Sequence, residues 1–207
     1  MHKSSMEKMG LFVNDYLDPD VKLKIADIGS LSLNGRYESL FENKKWKYIG
    51  ADIVPGPNVS VVFKDPYNWN EFKDASFDVV ISGQTFEHIP YFWKVMEEIK
   101  RILKPGGYCC IISPSIGEYN ESPTDGYRFS SVGLRNLANY VGLDVIKVQT
   151  DNVGHFRDSI LIAAKKAEPK RTQRSSKDEY VAKDEYVAKD EIKDEDTDES
   201  KLRLRVQ

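Results

Sequence analysis

Apolar positions along the first four fifths of the chain switch repeatedly between a helical and a strand period. Met6, Met9, Val13, Tyr16 and Leu17 fall at helical spacing and predict an amphipathic helix that Asp18-Pro19-Asp20 stops. Short apolar runs of strand length follow at Ile25–Ile28, Lys47–Asp52, Val59–Phe63, Phe77–Ser82 and Tyr108–Ser113. Between them, Tyr37–Phe41 reads as an amphipathic helical segment. Phe92, Val95, Met96, Ile99, Ile102 and Leu103 form one apolar stripe with Pro90 at its first turn. Lys104-Pro105-Gly106-Gly107 is expected to end that helix sharply. Ser130 or Ser131 can cap a further helix carrying Leu134, Leu137, Ala138 and Val141, with Gly142 as its stop. Two strands then occur in succession, Leu143–Gln149 and Ser159–Ala164. Alternating strands and helices closed by consecutive strands predict an α/β fold: a seven-stranded, mostly parallel sheet with helices on both faces and an antiparallel C-terminal hairpin.

The polar stretches between these runs carry the candidate chemistry. Strand Ile25–Ile28 contains Asp27 and opens into Gly29-Ser30-Leu31-Ser32-Leu33-Asn34-Gly35 before the next helical segment. Strand, small-residue loop and helix in that order form the turn where doubly wound sheets bind nucleotide-like ligands. Only Gly29 and Gly35 are present, so the spacing is not the G-x-G-x-x-G of a dinucleotide site. Asp52 ends the second strand 17 residues beyond Gly35 and 23 beyond Gly29. That interval brackets the roughly 20 residues at which a carboxylate meets a ribose hydroxyl in such folds. A solvated strand-end acid is the alternative, and the preceding loop favours the ligand role.

Composition modifies the picture mainly at the C-terminus. The net charge is −3, but Lys177–Ser200 alone carries eleven acids against four lysines, leaving the rest of the chain near +4. Lys-Asp-Glu-Tyr-Val-Ala occurs twice, from Lys177 and Lys183, with a partial third copy at Lys189. A six-residue period builds no continuous apolar stripe, and dense charge with low hydrophobicity predicts a disordered tail. Three regions are expected: a helix packing on the domain (1–20), the α/β domain (21–166) and the charged tail (167–207). The basic linker from Lys165 to Lys177 lacks the interleaved aromatics of a nucleic-acid surface and suits pairing with the acidic tail. No apolar run reaches eighteen residues and the N-terminus lacks a signal-peptide core, so a cytoplasmic, membrane-free protein is expected, monomeric or homodimeric. Cys109 and Cys110, adjacent in a strand, point to opposite faces and are expected to be buried and reduced.

Taken together, Asp27-Ile28-Gly29 with Asn34-Gly35, Asp52, Asp65-Pro66, Phe77–Ser82 with Glu87-His88-Ile89, and Leu103-Lys104-Pro105-Gly106-Gly107 resemble the class I S-adenosylmethionine-dependent methyltransferases. The resemblance is to the type 11-like group and covers roughly Val21 to Lys165. The family's usual first loop is a compact D-x-G-x-G-x-G. The longer loop here resembles a subgroup with an extended Gly-Ser … Asn-Gly turn, frequent among enzymes that modify glycans or secondary metabolites. The resemblance implies a Rossmann-like fold and S-adenosylmethionine as cofactor, with no metal. It implies that Gly29, Ser30, Asn34 and Gly35 approach the methionine moiety and that Asp27 stands near its ammonium. Asp52 would accept from both ribose hydroxyls, Asp65 would accept from the adenine amino group, and Ile53 and Pro66 are also placed among the cofactor-binding residues. Ser82, Gly83 and Gln84 would line the opening around the sulfonium.

For the acceptor, a small molecule or glycan methylated on oxygen or nitrogen, two regions supply candidates. His88 lies just past the fourth strand, and imidazole exchanges protons near neutrality; a Glu-His pair at a helix start also serves to cap and orient. The loop from Ser113 to Phe129 offers Asp125 as a base, Tyr119 and Tyr127 as aromatic surface and Arg128 as an anion-binding fork. Arg128 can equally tie down the loop through Asp125. His155 reads as a turn residue. Two other functions are weighed: a catalytically silent relative that binds the cofactor or a partner, and a nicotinamide-dependent dehydrogenase, which the glycine spacing disfavours.

Overall fold

The computed structural model describes residues 3–31, 35–118, 125–152 and 154–167. Asn34, Tyr119 and the repeat-bearing tail lie outside these. The sheet has seven strands: β1 (Leu23–Ile28), β2 (Trp46–Asp52), β3 (Val61–Val62), β4 (Phe77–Gly83), β5 (Leu103–Ser113), β6 (Asp144–Thr150) and β7 (Ser159–Ala164). Their order is β3-β2-β1-β4-β5-β7-β6. Pairs among β1 to β5 are parallel, and β7 runs antiparallel between β5 and β6. The strand order reverses beside β1, so the carboxyl ends of β1 and β4 diverge and leave a crevice there.

Strand alternation sorts the core into two layers. Val80 and Cys109 face helices α2 (Phe92–Ile102) and α3 (Ser131–Tyr140), packing with Met96, Ile99 and Leu134. Val79, Ile81 and Cys110 face the opposite way, onto Met9, Phe12 and Val13 of α1 (Lys3–Tyr16). Helices therefore cover both faces, and the two thiols are separated by the sheet. Burial pushes the Cys109 thiol up to about 12, so both sulfurs act as small apolar groups. Ser130 caps α3, its Oγ accepting from the Gly133 N–H at 3.2 Å.

One local expectation is refined and two change. The amphipathic segment after the first loop, Tyr37–Phe41, keeps its expected bounds and takes the 3-10 form. Five residues are too few to repay helix nucleation, and Tyr37 and Phe41 are buried by packing alone. Lys104-Pro105-Gly106-Gly107 does not separate helix from strand but begins β5, where the ladder to β4 shifts register between Phe77 and Val79. β3 shrinks to two residues at the sheet edge.

Candidate functional site

A cavity of about 560 Å³ opens at the carboxyl ends of β1, β2 and β4, within the size range of small-molecule sites. Asp27 reaches it from the penultimate position of β1 and Asp52 from the last of β2, on neighbouring parallel strands. Asp27 is only 3% exposed and accepts a hydrogen bond from the Tyr48 hydroxyl. Burial pushes its carboxyl up to about 7, Tyr48 pulls the other way, and the Asp52 charge adds to the rise. Tyr48 in turn accepts from Asn58 Nδ2 at 3.3 Å. Asp52 is half-buried and holds the loops on either side of it: Oδ2 accepts from Leu31 N at 3.0 Å, and Oδ1 from Ile53 N at 2.7 Å. Exposed Ile53 and Val54 form an apolar lip beside it.

The floor of the cavity requires glycine at two crossings. At Gly29 the backbone takes φ +77°, and a Cβ there would lie 2.2 Å from Cγ2 of Thr85. At Gly83 a Cβ would meet the Tyr37 hydroxyl at 2.0 Å. Ser30 is buried and lines the cavity while its Oγ donates to Asn58 O at 2.9 Å. Gln84 also lines it, held at φ +56° with its N–H on Ile112 O at 2.8 Å. Its Nε2 donates to Asp158 Oδ1 at 3.0 Å, and Asp158 also accepts from Ser4 Oγ of α1 at 2.5 Å. His88 lines the cavity with Nε2 3.9 Å from Glu87 Oε1. Glu87 is buried and accepts from Ser113 Oγ at 2.8 Å; burial raises its carboxyl above the usual range.

The structure thus brings together Asp27, Gly29, Ser30, Asp52, Ile53, Pro66, Gly83, Gln84 and His88. Other expected residues stand elsewhere. Asp65 is exposed and accepts from Tyr67 N at 2.7 Å, closing a turn that points Pro66 and Tyr67 into the cavity in its place. Ser82 is fully buried and donates to Ile28 O at 2.8 Å, joining β4 to β1 rather than facing a ligand. Gly35 precedes the 3-10 turn and is not in the lining, where Arg36 is. Asp125, Tyr127 and Arg128 lie in a separate depression. There Arg128 grips both Asp125 carboxylate oxygens, Nη2 to Oδ2 at 2.6 Å, and also donates to Glu118 O and Tyr127 O. The fork ties down the loop, so Asp125 is not poised as a base. His155 is exposed and packs edge-on against Phe156.

Four contributors escaped sequence reading. Tyr48 shares a strand face with Asp52 at period two, a signal that was there to use. Asn58 sits at φ +68° in a turn whose chemistry resembles any Pro-Gly-Pro-Asn bend. Arg36 carries no motif. Asp158 meets Gln84 across 74 residues of chain, which no local pattern reveals.

Sheet order, the antiparallel β7, and two acids at adjacent strand tips in one crevice define the class I S-adenosylmethionine-dependent methyltransferase architecture. A family model described as a methyltransferase domain matches residues 27–111, from the cavity acid on β1 into β5. A sterol 4-C-methyltransferase of Caenorhabditis elegans is 32% identical over 82 residues, 40% of this chain and 19% of the relative. An uncharacterized methyltransferase of Mycobacterium leprae is 26% identical over 107 residues, 47% of this chain and 39% of the relative. The chain therefore spans less than half the length of these curated relatives. The Burkholderia thailandensis 1,6-didemethyltoxoflavin-N1-methyltransferase, solved with S-adenosylhomocysteine, superposes with a TM-score of 0.64 at 17% identity. The overlap is 79% of each chain. A SAM dependent methyltransferase from Archaeoglobus fulgidus gives 0.58 at 19% identity, covering 78% of this chain and 95% of that one. Among the described residues no helix is long and apolar enough to cross a membrane, and no cluster of metal-ligating side chains occurs.

Proposed function

We propose that this cavity binds S-adenosylmethionine and that the protein transfers its methyl group to an oxygen or nitrogen of a small-molecule or glycan acceptor. The observation that carries the reading is the shared cavity of Asp27 and Asp52 across the glycine crossing at Gly29. A buried carboxylate suits the amino acid's ammonium, and a half-buried one at the next strand tip suits two ribose hydroxyls. Ile53, Val54 and Pro66 offer apolar surface for a flat base, and Gly83 and Gln84 border the opening beyond them. The cofactor supplies a methyl group already activated by a positively charged sulfur. The chain's own residues bind and orient, exclude water, and move one proton. His88 is the imidazole lining the cavity, and it takes the proton of an acceptor hydroxyl.

Calorimetry with S-adenosylmethionine, S-adenosylhomocysteine and NAD tests the proposal. Binding of both sulfur ligands but not NAD is expected, with methylated product from an acceptor panel. NAD binding alone would overturn it. Tight binding without turnover on any acceptor would point to a silent binding protein instead. His88→Ala is expected to slow hydroxyl methylation more than tenfold, with cofactor affinity within threefold of the parent.

A further inference from the structure

The rim of the cavity on the α2 side carries an aromatic shelf that the methyl-donor site leaves unused. Tyr67, in the cavity wall, has its ring centroid 5.2 Å from that of Tyr91, and Tyr91 lies 5.6 Å from Trp93. A second row meets the first: Phe92 packs at 5.2 Å against Trp93, at 4.9 Å against Tyr127 and at 4.9 Å against Phe129. The Tyr127 hydroxyl donates to Pro90 O at 3.0 Å, which binds this row to the cavity lining. Phe129 is buried and anchors the row, but Tyr91 is 49% exposed and Trp93 and Tyr127 are each 37% exposed. Three large rings left open beside a cavity cost solvation that a single scattered aromatic would not.

Charge on the shelf is one-sided. Lys94 Nζ stands 5.5 Å from the Tyr91 centroid and 5.8 Å from that of Tyr67. The acids nearby are already engaged: Asp125 by Arg128, Glu98 by Arg101 at 2.6 Å, and Glu97 by the Tyr140 hydroxyl at 2.5 Å. A cationic ligand would compete with Lys94 for the same ring faces, and Asp65, two residues before Tyr67, is turned back onto the Tyr67 N–H. A flat ring bearing a negative charge stacks on the rings and pairs with the ammonium.

We infer that Tyr67, Tyr91, Trp93 and Lys94 form the acceptor-recognition platform, and that the acceptor is an aromatic acid, a planar ring with a carboxylate. This rests on the methyl-transfer reading above and names the substrate class for it. Hydroxyl-bearing aromatic acids present an oxygen for methylation at the ring edge, toward the cavity. Methylation then forms the new O–CH₃ bond as the S–CH₃ bond breaks, with the hydroxyl proton leaving to His88.

The test is calorimetric titration of the full chain, saturated with S-adenosylhomocysteine, with 4-hydroxybenzoate and 4-hydroxycinnamate. Tyramine, a cationic ring, and methyl glucoside, which has no aromatic ring, serve as comparisons. The acids should bind at least tenfold more tightly than either. Trp93→Ala and Tyr91→Ala should each weaken acid binding at least tenfold, Trp93→Phe should retain it, and Lys94→Gln should erase the preference for acid over tyramine. Affinity for S-adenosylhomocysteine should stay within twofold in all four variants. The inference is overturned if tyramine or the glycoside binds as well as the acids. Unchanged acid affinity in the two alanine variants, or no acid binding by a chain that does bind S-adenosylhomocysteine, also overturns it. Failure of the chain to bind S-adenosylhomocysteine instead removes the methyl-transfer reading, and titration with the acids alone then decides the platform separately.

Discussion

Two acidic sites of this protein look alike in sequence and differ in what surrounds them. Asp27 and Asp52 stand at the tips of adjacent strands and face a common cavity, Asp27 accepting from the Tyr48 hydroxyl and Asp52 from backbone amides. Asp125 lies in the loop between β5 and α3, and Arg128 covers both of its oxygens. A carboxylate facing a guanidinium fork is electrostatically satisfied and builds a loop. One buried without a cation is held at a cost, and a cationic ligand relieves that cost. The partner, rather than the residue type, separates scaffold from site.

Removing the fork should give the largest effect. Arg128→Ala strands the buried Asp125 charge and is expected to cost about 3 kcal/mol of stability, near the lower end for breaking a buried pair. Denaturant melts would show this, while affinity for S-adenosylhomocysteine changes less than threefold. If affinity falls and stability does not, the two sites are not separate. Asp52→Ala should do the reverse, weakening S-adenosylhomocysteine by about 1–3 kcal/mol in titration calorimetry, the range for charge-assisted hydrogen bonds. An unchanged dissociation constant would place Asp52 away from the ribose.

The pH dependence isolates Asp27. Its folded carboxyl stands at about 7, above its ordinary 3.8. Between about pH 4 and 7 the unfolded chain has therefore lost a proton that the folded chain keeps. Rising pH then favours unfolding by up to about 1.4 kcal/mol per unit in that window. The stability is complete below about 4 and lost as pH passes 7. Ligand affinity runs the opposite way, because the ammonium binds the ionised form, and should rise toward tenfold per unit up to about 7 and then level. Asp27→Asn should flatten both slopes, measured by melts and calorimetry from pH 5 to 8. The smallest effect is expected from deleting residues 177–207: so charged a segment has little apolar surface to bury, and the melting temperature should move by less than about 3 °C.

Much of the sheet was legible because period-two apolar runs and glycine or proline stops are local signals. Ser159–Ala164 matches β7 at both ends, and the last two strands form the expected hairpin. Asp52 was legible too, since the distance along one β-α-β passage is set by element lengths. Asp65 was not, because a carboxylate two residues before an amide can satisfy itself in a turn, as it does with Tyr67. Nor was the choice open to Arg128 readable: a fork three residues from an acid fits both a substrate anion and its neighbour, and only the packed loop shows which oxygens it reaches.

What the amino-acid order determined by itself is therefore the alternation of strands and helices, the acids at the tips of β1 and β2, and the glycine between them. These depend on backbone preferences and hydrophobic period, which act over a few residues. Tertiary structure alone decided which acids face a cavity, which are neutralised, that Gln84 is braced by Asp158 and α1, and that the rings of Tyr67, Tyr91 and Trp93 line one rim. Those outcomes depend on contacts between distant segments, and burial strengthens or weakens each charge only once the chain has closed around it.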